Sequence, residues 1–159
     1  MIKVFLSHQS ADSHACGIIA QRLKIYHDID CYLDVIDPYM NRKGEDLAAH
    51  IQSEMSKCTQ LLAVVSDATK ASQWVPWEIG VATEKNYPLA TYLAGTVTAP
   101  EFLRKWPYLR NSDDLDNYAR ASKAAERSYV QKRDYYTEAT AKSRSTSDFF
   151  TTLRASLGQ

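Results

Sequence analysis

The stretch Leu61-Leu62-Ala63-Val64-Val65 is an unbroken aliphatic run near the middle of the chain. It is too short for an ordinary helix, and its composition is typical of a strand that is buried on both faces of a sheet. Such strands occur almost only in parallel sheets that are covered by helices on both sides. The run therefore predicts an α/β protein.

Segments around this run alternate between strand and helix patterns. Strands are predicted at 2–7, 31–36 and 89–93, where β-branched and aromatic residues are frequent. Helices are predicted at about 12–27, 46–58 and 72–82, where apolar residues recur at helical spacing, and Pro76 favours a regular start close to itself. This alternation indicates βαβ units, and so a three-layer α/β fold with a parallel sheet between helices.

The pattern weakens after residue 94. We expect a short strand at 96–98, a helical turn at 101–106 and a surface helix over about 113–140. A polar break at 143–147 is expected before a closing helix over about 146–157. The chain 1–159 is predicted to be a single domain, with a core at 1–93 and a divergent, mostly helical segment at 94–142.

Charge and hydropathy exclude several classes of partner. With 19 basic and 19 acidic side chains the formal charge is zero, which argues against nucleic acid as the main partner. No aliphatic stretch approaches the roughly 20 residues that cross a bilayer, and no signal peptide is apparent. We expect a cytoplasmic protein without a membrane span.

The charges are unevenly distributed along the chain. Residues 1–93 carry 8 basic and 11 acidic side chains, whereas residues 94–159 carry 11 and 8. We expect the basic segment, with Lys132 and Arg133, to lie beside the functional site or an assembly surface.

The cysteines predict reduced thiols. Cys16, Cys31 and Cys58 are odd in number and contain no C-x-x-C pair, which argues against a disulfide framework. No spacing among the histidines and cysteines resembles a metal-ligand pair, so no metal site is expected.

Polar residues follow the predicted strands, at the edge where open parallel sheets bind ligands. They are Ser7-His8-Gln9-Ser10, Asp34 with residues 37–46, Ser66-Asp67 and residues 74–78. The G-x-G-x-x-G and Walker motifs are absent. A serine hydrolase is excluded because neighbours at a strand end point to opposite faces, so Ser7 and His8 cannot act as nucleophile and base.

Glu78 is the most informative carboxylate. It is predicted in the first turn of its helix, beside Trp77 and four residues after Trp74. If the helix extends back to Trp74, that indole shares a face with the carboxylate, which suits a ligand that carries a sugar and an aromatic ring. The structural alternative is that the helix dipole favours an acid in a first turn and that tryptophans often belong to the core.

Four motifs in this order resemble a Toll/interleukin-1 receptor (TIR) domain of the bacterial type. They are Val4-Phe5-Leu6-Ser7-His8 followed by Asp12, Tyr32-Leu33-Asp34, Gly44-Glu45, and Ser72-x-Trp74-x-x-x-Glu78. The resemblance covers residues 2 to about 93 and implies a flavodoxin-like fold, with a five-stranded parallel sheet in the order 2-1-3-4-5. The helix that starts at Asp148-Phe149 is similar to the family's closing helix.

The resemblance also implies an activity. Catalytic TIR domains cleave NAD, their substrate rather than a bound cofactor, at the nicotinamide-ribose bond, and the glutamate they need corresponds to Glu78. The family pattern places Ser7, His8, Asp34 and Trp74 around the substrate. Trp77 is added because it adjoins Glu78. Residues 37–46 resemble the mobile loop with which the family covers the site and assembles.

Taken as a single domain, the chain is similar to the TIR enzymes of Thoeris-type antiphage systems. Those enzymes convert NAD into a cyclic or otherwise modified ADP-ribose that activates a separate effector protein, and TIR–TIR self-association is implied on activation. Two alternatives stay open. One is a non-catalytic interaction module that works through residues 37–46, including Arg42 and Lys43, and the other is a nucleoside-processing transferase of similar fold.

Overall fold

The predicted aliphatic strand lies at the centre of the sheet in the computed structural model, which describes residues 1–33 and 44–159. This strand, β3 (Gln60–Val65), is buried along its whole length. The other strands are β1 (Lys3–Ser7), β2 (Asp30–Leu33), β4 (Leu89–Leu93) and β5 (Tyr108–Leu109). All pairings are parallel, in the order β2-β1-β3-β4-β5. The predicted order is confirmed; residues 34–36, expected to continue β2, lie outside the described residues.

Helices cover both faces of this sheet. The first face carries α1 (Ser13–His27), α4 (Ser112–Lys132) and α5 (Glu138–Leu157), and the second carries α2 (Gly44–Ser56) and α3 (Trp74–Glu84). Alternate side chains of each central strand enter the two cores, so Leu6 packs with the first group and Phe5 with the second. The predicted three-layer architecture is confirmed. No helix in the described part of the chain is long and apolar enough to cross a membrane.

The fifth strand lies later in the chain than the sequence predicted. A strand at 96–98 is wrong, because Gly95 turns the chain directly after β4 with φ of +80°. β5 instead begins after Pro107, whose carbonyl accepts a hydrogen bond from the Thr91 amide at 3.0 Å. Proline is tolerated at this edge because only its carbonyl is used. The expected helical turn is a 3-10 turn at Glu101–Lys105.

A side chain closes the outer edge of β5. The Tyr108 amide donates to Gln159 Oε1 at 3.1 Å, and Gln159 Nε2 donates to the Tyr108 carbonyl at 2.7 Å. Both backbone groups of Tyr108 point away from β4, because the two groups of one residue in a parallel ladder face the same side. Gln159 therefore occupies the positions that a further strand would use.

The carboxy-terminal part forms two helices, as expected, but the break between them lies earlier in the chain than predicted. α4 ends at Lys132, and α5 starts after Thr137, whose Oγ1 accepts from the Thr140 amide at 3.3 Å. The break predicted at 143–147 is wrong, because Ser145 and Thr146 are buried inside α5. Their hydroxyls donate to the carbonyls of Lys142 and Asn86 at 2.9 and 3.1 Å, so they do not disrupt the helix. The closing helix is therefore longer than the 146–157 expected.

α4 is a surface helix, as expected, and one of its faces is buried. One of its faces buries Leu115, Tyr118 and Ala125 against the sheet and its neighbours. Near its start, Asp116 accepts hydrogen bonds from Arg22 at 2.7 and 3.0 Å and from His27 Nε2 at 2.8 Å, which tie α4 to α1. In the composition of this segment, the many polar residues of the outer face outweigh the apolar residues of the buried face.

The direction of α4 places the basic segment far from the predicted site. The hydroxyls of Tyr118 and Ser122 both lie 2.8 Å from Oε1 of Gln60, which begins β3, so α4 runs towards the amino edge of the sheet. Lys132, paired with Asp148 of α5, and Arg133 therefore lie beyond that edge. The expectation that Lys132 and Arg133 lie beside the functional site is therefore wrong. Their position on an assembly surface stays a prediction.

Candidate functional site

A buried hydroxyl and a buried carboxylate meet at the carboxyl edge of the sheet. Ser7 ends β1 and is fully buried, and its Oγ donates a hydrogen bond to Oε2 of Glu78, which is 2% exposed. A carboxylate is costly to bury unless it is hydrogen-bonded, and Ser7 supplies such a bond. The pair lies where the strand order reverses between β1 and β3, the position at which doubly wound sheets bind ligands.

The start of α3 sets the position of Glu78. The helix begins at Trp74, and the Ser72 hydroxyl accepts from the Val75 amide at 3.2 Å. Pro76 is third in the helix, where no intrahelical donor is lost. The expectation that Glu78 lies in the first turn is wrong, because it is the fifth residue. Since the dipole acts mainly within the first turn, it does not account for this buried acid.

His8 follows Ser7 and is 5% exposed. Its Nδ1 lies 3.0 Å from the carbonyl oxygen of Leu6, an atom that only accepts, so Nδ1 carries a hydrogen. Its Nε2 lies 3.4 Å from Oγ of Ser13, the first residue of α1. These contacts hold the imidazole where β1 leads into α1.

The loops after β1 and β3 are joined by a bond that sequence reasoning missed. Asp12, 9% exposed, accepts a hydrogen bond from Ser66 Oγ at 2.8 Å. Ser66 also accepts from the Ala68 amide at 3.1 Å and so caps the 3-10 turn Asp67–Ala71. Asp12 precedes α1 but makes no side-chain cap bond to it. The sequence signal for the cap at Ser66 is Ser-Asp directly after a buried strand, a typical capping pattern.

The two tryptophans relate differently to Glu78. Trp74 lies four residues before Glu78 within α3, so both share a face of the helix, as the spacing predicted. Trp77 meets Trp74 edge to face, with ring centroids 5.5 Å apart, and lines a depression with Gln52 and Val81. Adjacent helix positions diverge by about 100°, so Trp77 and Glu78 lie on different faces. Trp74 is therefore the indole on the side of the carboxylate.

Part of the predicted site falls outside the described residues. Asp34 and residues 37–43 of the covering loop, which include Arg42 and Lys43, lie there; Gly44 to Asp46 form the start of α2. Within the described ranges, no group of three His, Cys, Asp or Glu could hold a metal ion.

The cysteine thiols are free, but their reactivity is low. Burial raises the pKa of Cys16 and of Cys31 to about 12 and that of Cys58 to about 11. Because the thiolate is the reactive form, these cysteines are poor nucleophiles near neutral pH. The chemistry of the candidate site therefore depends on oxygen and nitrogen side chains.

Comparison with known proteins gives a family and a fold. The model of the TIR domain family matches residues 4–126. A 2-deoxyribosyltransferase from the psychrotolerant bacterium Bacillus psychrosaccharolyticus has a similar fold, with a TM-score of 0.59 and 11% identity over 73% of this chain and 91% of its own. The TIR domains of the activated Roq1 resistosome, which recognizes the pathogen effector XopQ, give a TM-score of 0.47 and 17% identity over 99% and 98% of the two chains. A comparison with curated protein sequences gives no match.

Proposed function

The chain belongs to the TIR domain family, and on this premise we propose that it is an NAD-cleaving enzyme with Glu78 as its catalytic carboxylate. The supporting observation is the pair formed by Glu78 and Ser7, which is buried at the ligand-binding edge of the sheet. An acid buried beyond the first helical turn requires specific partners. A charge stabiliser for a sugar cation would benefit from such a low-dielectric setting.

The reaction proceeds by loss of nicotinamide. The bond between ribose C1′ and the pyridinium nitrogen breaks, its electron pair goes to that nitrogen, and nicotinamide leaves as a neutral molecule. Positive charge then develops on C1′ and the ring oxygen of the ribose, where the negative charge of Glu78 stabilises it. Water attacks C1′ and loses a proton to give ADP-ribose, or a nucleophilic atom of the same molecule or of a second ligand attacks instead.

The surrounding side chains have supporting roles in this proposal. Ser7 holds Glu78 through its hydroxyl, and Trp74 stacks on a ring of the substrate from the same helix face. His8 and Asp34 orient the ribose and phosphates. Trp77 acts indirectly, by packing edge to face against Trp74.

The biological role we propose is antiviral signalling of the Thoeris type in a bacterial cytoplasm. A cyclic or modified ADP-ribose would diffuse to a separate effector protein. Self-association through TIR surfaces, including residues 37–46, would accompany activation. No bound cofactor is needed, since NAD is the substrate.

The decisive experiment compares Glu78→Gln with Glu84→Gln. Both variants remove one carboxylate from α3, but Glu84 is exposed at the end of the helix. Nicotinamide release from NAD, followed by mass spectrometry, should fall by about 100-fold or more in Glu78→Gln, the usual cost of removing a group that stabilises transition-state charge. It should be unchanged in Glu84→Gln. Full turnover by Glu78→Gln removes Glu78 from the mechanism.

The same assay separates the alternatives. If wild-type protein releases no nicotinamide at any concentration that permits assembly, the non-catalytic interaction module is favoured. Release of free base from a 2′-deoxynucleoside, with NAD left intact, would instead favour a nucleoside transferase; the likeness to the 2-deoxyribosyltransferase is one of fold alone.

A further inference from the structure

A second cleft lies at the amino edge of the sheet, opposite Ser7 and Glu78. Its volume is about 340 Å³, at the lower end of the roughly 300–1,000 Å³ of small-molecule sites. The starts of β3 and β4, together with α4 and α5, enclose it, and the lining includes Gln60, Tyr87 and Lys142. Neither Ser7 nor Glu78 lines it, so this cleft is separate from the proposed active site.

Gln60 presents an unused hydrogen-bond donor to this cleft. The residue is only 3% exposed, and its Oε1 lies 2.8 Å from each of two hydroxyl oxygens, those of Tyr118 and Ser122. Its Nε2 has no hydrogen-bond partner among the described residues and is not sealed in the core. Because buried amides normally use both of their ends, the open end of Gln60 marks a position for an external acceptor.

Lys142 supplies an unpaired positive charge to the same cleft. Its Nζ lies 4.6 Å from the centroid of the Tyr87 ring, and it forms no ion pair with any carboxylate in the described ranges. Burial, followed by the nearby Lys85, lowers the pKa of Lys142, and the smaller effects of Glu138 and Glu84 oppose this shift. An opposite charge brought next to the ammonium would therefore be favoured.

The acidic residues of the cleft already have partners. Glu126 pairs with the amino group of Met1 at 2.6 Å, and Glu138 accepts a hydrogen bond from the Tyr129 hydroxyl at 3.3 Å. Gln60 and Lys142 both offer donor hydrogens to the cleft, and Lys142 has no carboxylate within ion-pair distance in the described ranges. The cleft is thus matched to a ligand that offers acceptors and negative charge.

We propose that this cleft binds a small anionic molecule, a carboxylate or a phosphate monoester. One anionic group would contact the Lys142 ammonium, and a further oxygen would accept from the Gln60 amide. A volume of about 340 Å³ suits a small metabolite.

The test is calorimetric titration of the full chain, without NAD, using ribose 5-phosphate, succinate and neutral ribose. We expect saturable one-to-one binding of at least one of the two anions and none of ribose. Lys142→Met should weaken this binding by about tenfold or more. Lys57→Met is the matched control: it removes an equal charge from an exposed lysine that pairs with Glu54 outside the cleft. It should leave affinity within about twofold.

A nuclear magnetic resonance titration adds a readout at the floor of the cleft. The side-chain amide signals of Gln60 should shift with the same saturation curve as the heat. The proposal is overturned if neither anion saturates by about 10 mM, if ribose binds equally, if Lys142→Met binds as wild type, or if the Gln60 signals do not move. Circular dichroism confirms that each variant is folded, and the result is independent of whether NAD is cleaved.

Discussion

Replacing Asp116 by Asn is expected to loosen α1 from α4. Asp116 receives two hydrogen bonds from Arg22 and one from His27, and it is the shared acceptor of both. The Arg22 guanidinium, with His27 second, lowers the pKa of Asp116 from 3.8 to about 2. Asn keeps the shape of the side chain but removes the charge that both partners use.

The magnitude follows from the pKa. The difference between 3.8 and about 2 corresponds to about 2.4 kcal/mol in the free energy of unfolding. The side chain is 23% exposed, and allowing for solvent screening leaves about 1–2 kcal/mol. For a chain of this size each kcal/mol moves Tm by about 2–4 °C, so Asp116→Asn should lower Tm by about 2–8 °C at pH 7.

The effect should depend on pH in one direction. Because the pKa of Asp116 is lower in the folded protein, its contribution is fully present above the unfolded value of 3.8 and is lost as pH falls towards about 2. The difference between wild type and variant should therefore persist from pH 7 to about pH 5 and should shrink below about pH 4.

Urea denaturation followed by circular dichroism, repeated at several pH values, measures this difference. Asp30→Asn is the matched control, since Asp30 pairs with Lys24 on the surface at 3.0 Å with half of its side chain exposed, and its loss should change stability much less. A variant as stable as wild type at pH 7, or a difference that does not shrink below about pH 4, would refute the reasoning.

Two further predictions concern buried groups. Tyr118→Phe removes a hydroxyl that donates to Gln60 in a fully buried position, and the free energy of unfolding should fall by about 1–2 kcal/mol in urea denaturation; an unchanged midpoint would contradict the role of this bond. The thiols, with pKa values raised to about 11 or 12, should fail to react with Ellman's reagent at about pH 8 in the folded protein and should react when urea unfolds it. Rapid labelling of the folded protein at this pH would argue against their burial.

The central strands were predictable because burial on both faces of the sheet requires a continuous run of apolar residues in the sequence. Every residue of β3 must be apolar or paired, so Leu61 to Val65 form a continuous run. The edge of the sheet that carries the candidate site followed from the topology, because the loops after the strands of a parallel sheet all lie on one side of it. This reasoning located Ser7 and Glu78 correctly at that edge, but not the hydrogen bond between residues that lie 71 positions apart.

The carboxy-terminal elements were harder to predict because packing decides them. The turn between α4 and α5, at residues 133–137, contains neither glycine nor proline, and Tyr135 within it is exposed. Ser145 and Thr146 instead lie in a run of polar residues, yet they are buried, and Thr146 donates to the Asn86 carbonyl just before β4. Local propensity points to the wrong break in such a case, because tertiary contacts override it.

The hydrogen bond between Asp12 and Ser66 was also hard to predict because it depends on tertiary contacts. Each residue was a reasonable cap for its own helix, and nothing local indicates that one carboxylate would serve the other loop. Contacts of this kind depend on the exact distance between loops, which a single sequence does not encode in any one window.

The pairing of Gln159 with Tyr108 has a consequence for colloidal behaviour. An open strand margin is a template on which a second chain can add, and this is a common start of aggregation. Here the side-chain amide of Gln159 already hydrogen-bonds the backbone donor and acceptor of Tyr108 that an added strand would need. Growth of the sheet past β5 must first displace Gln159, so orderly association has to use other parts of the surface.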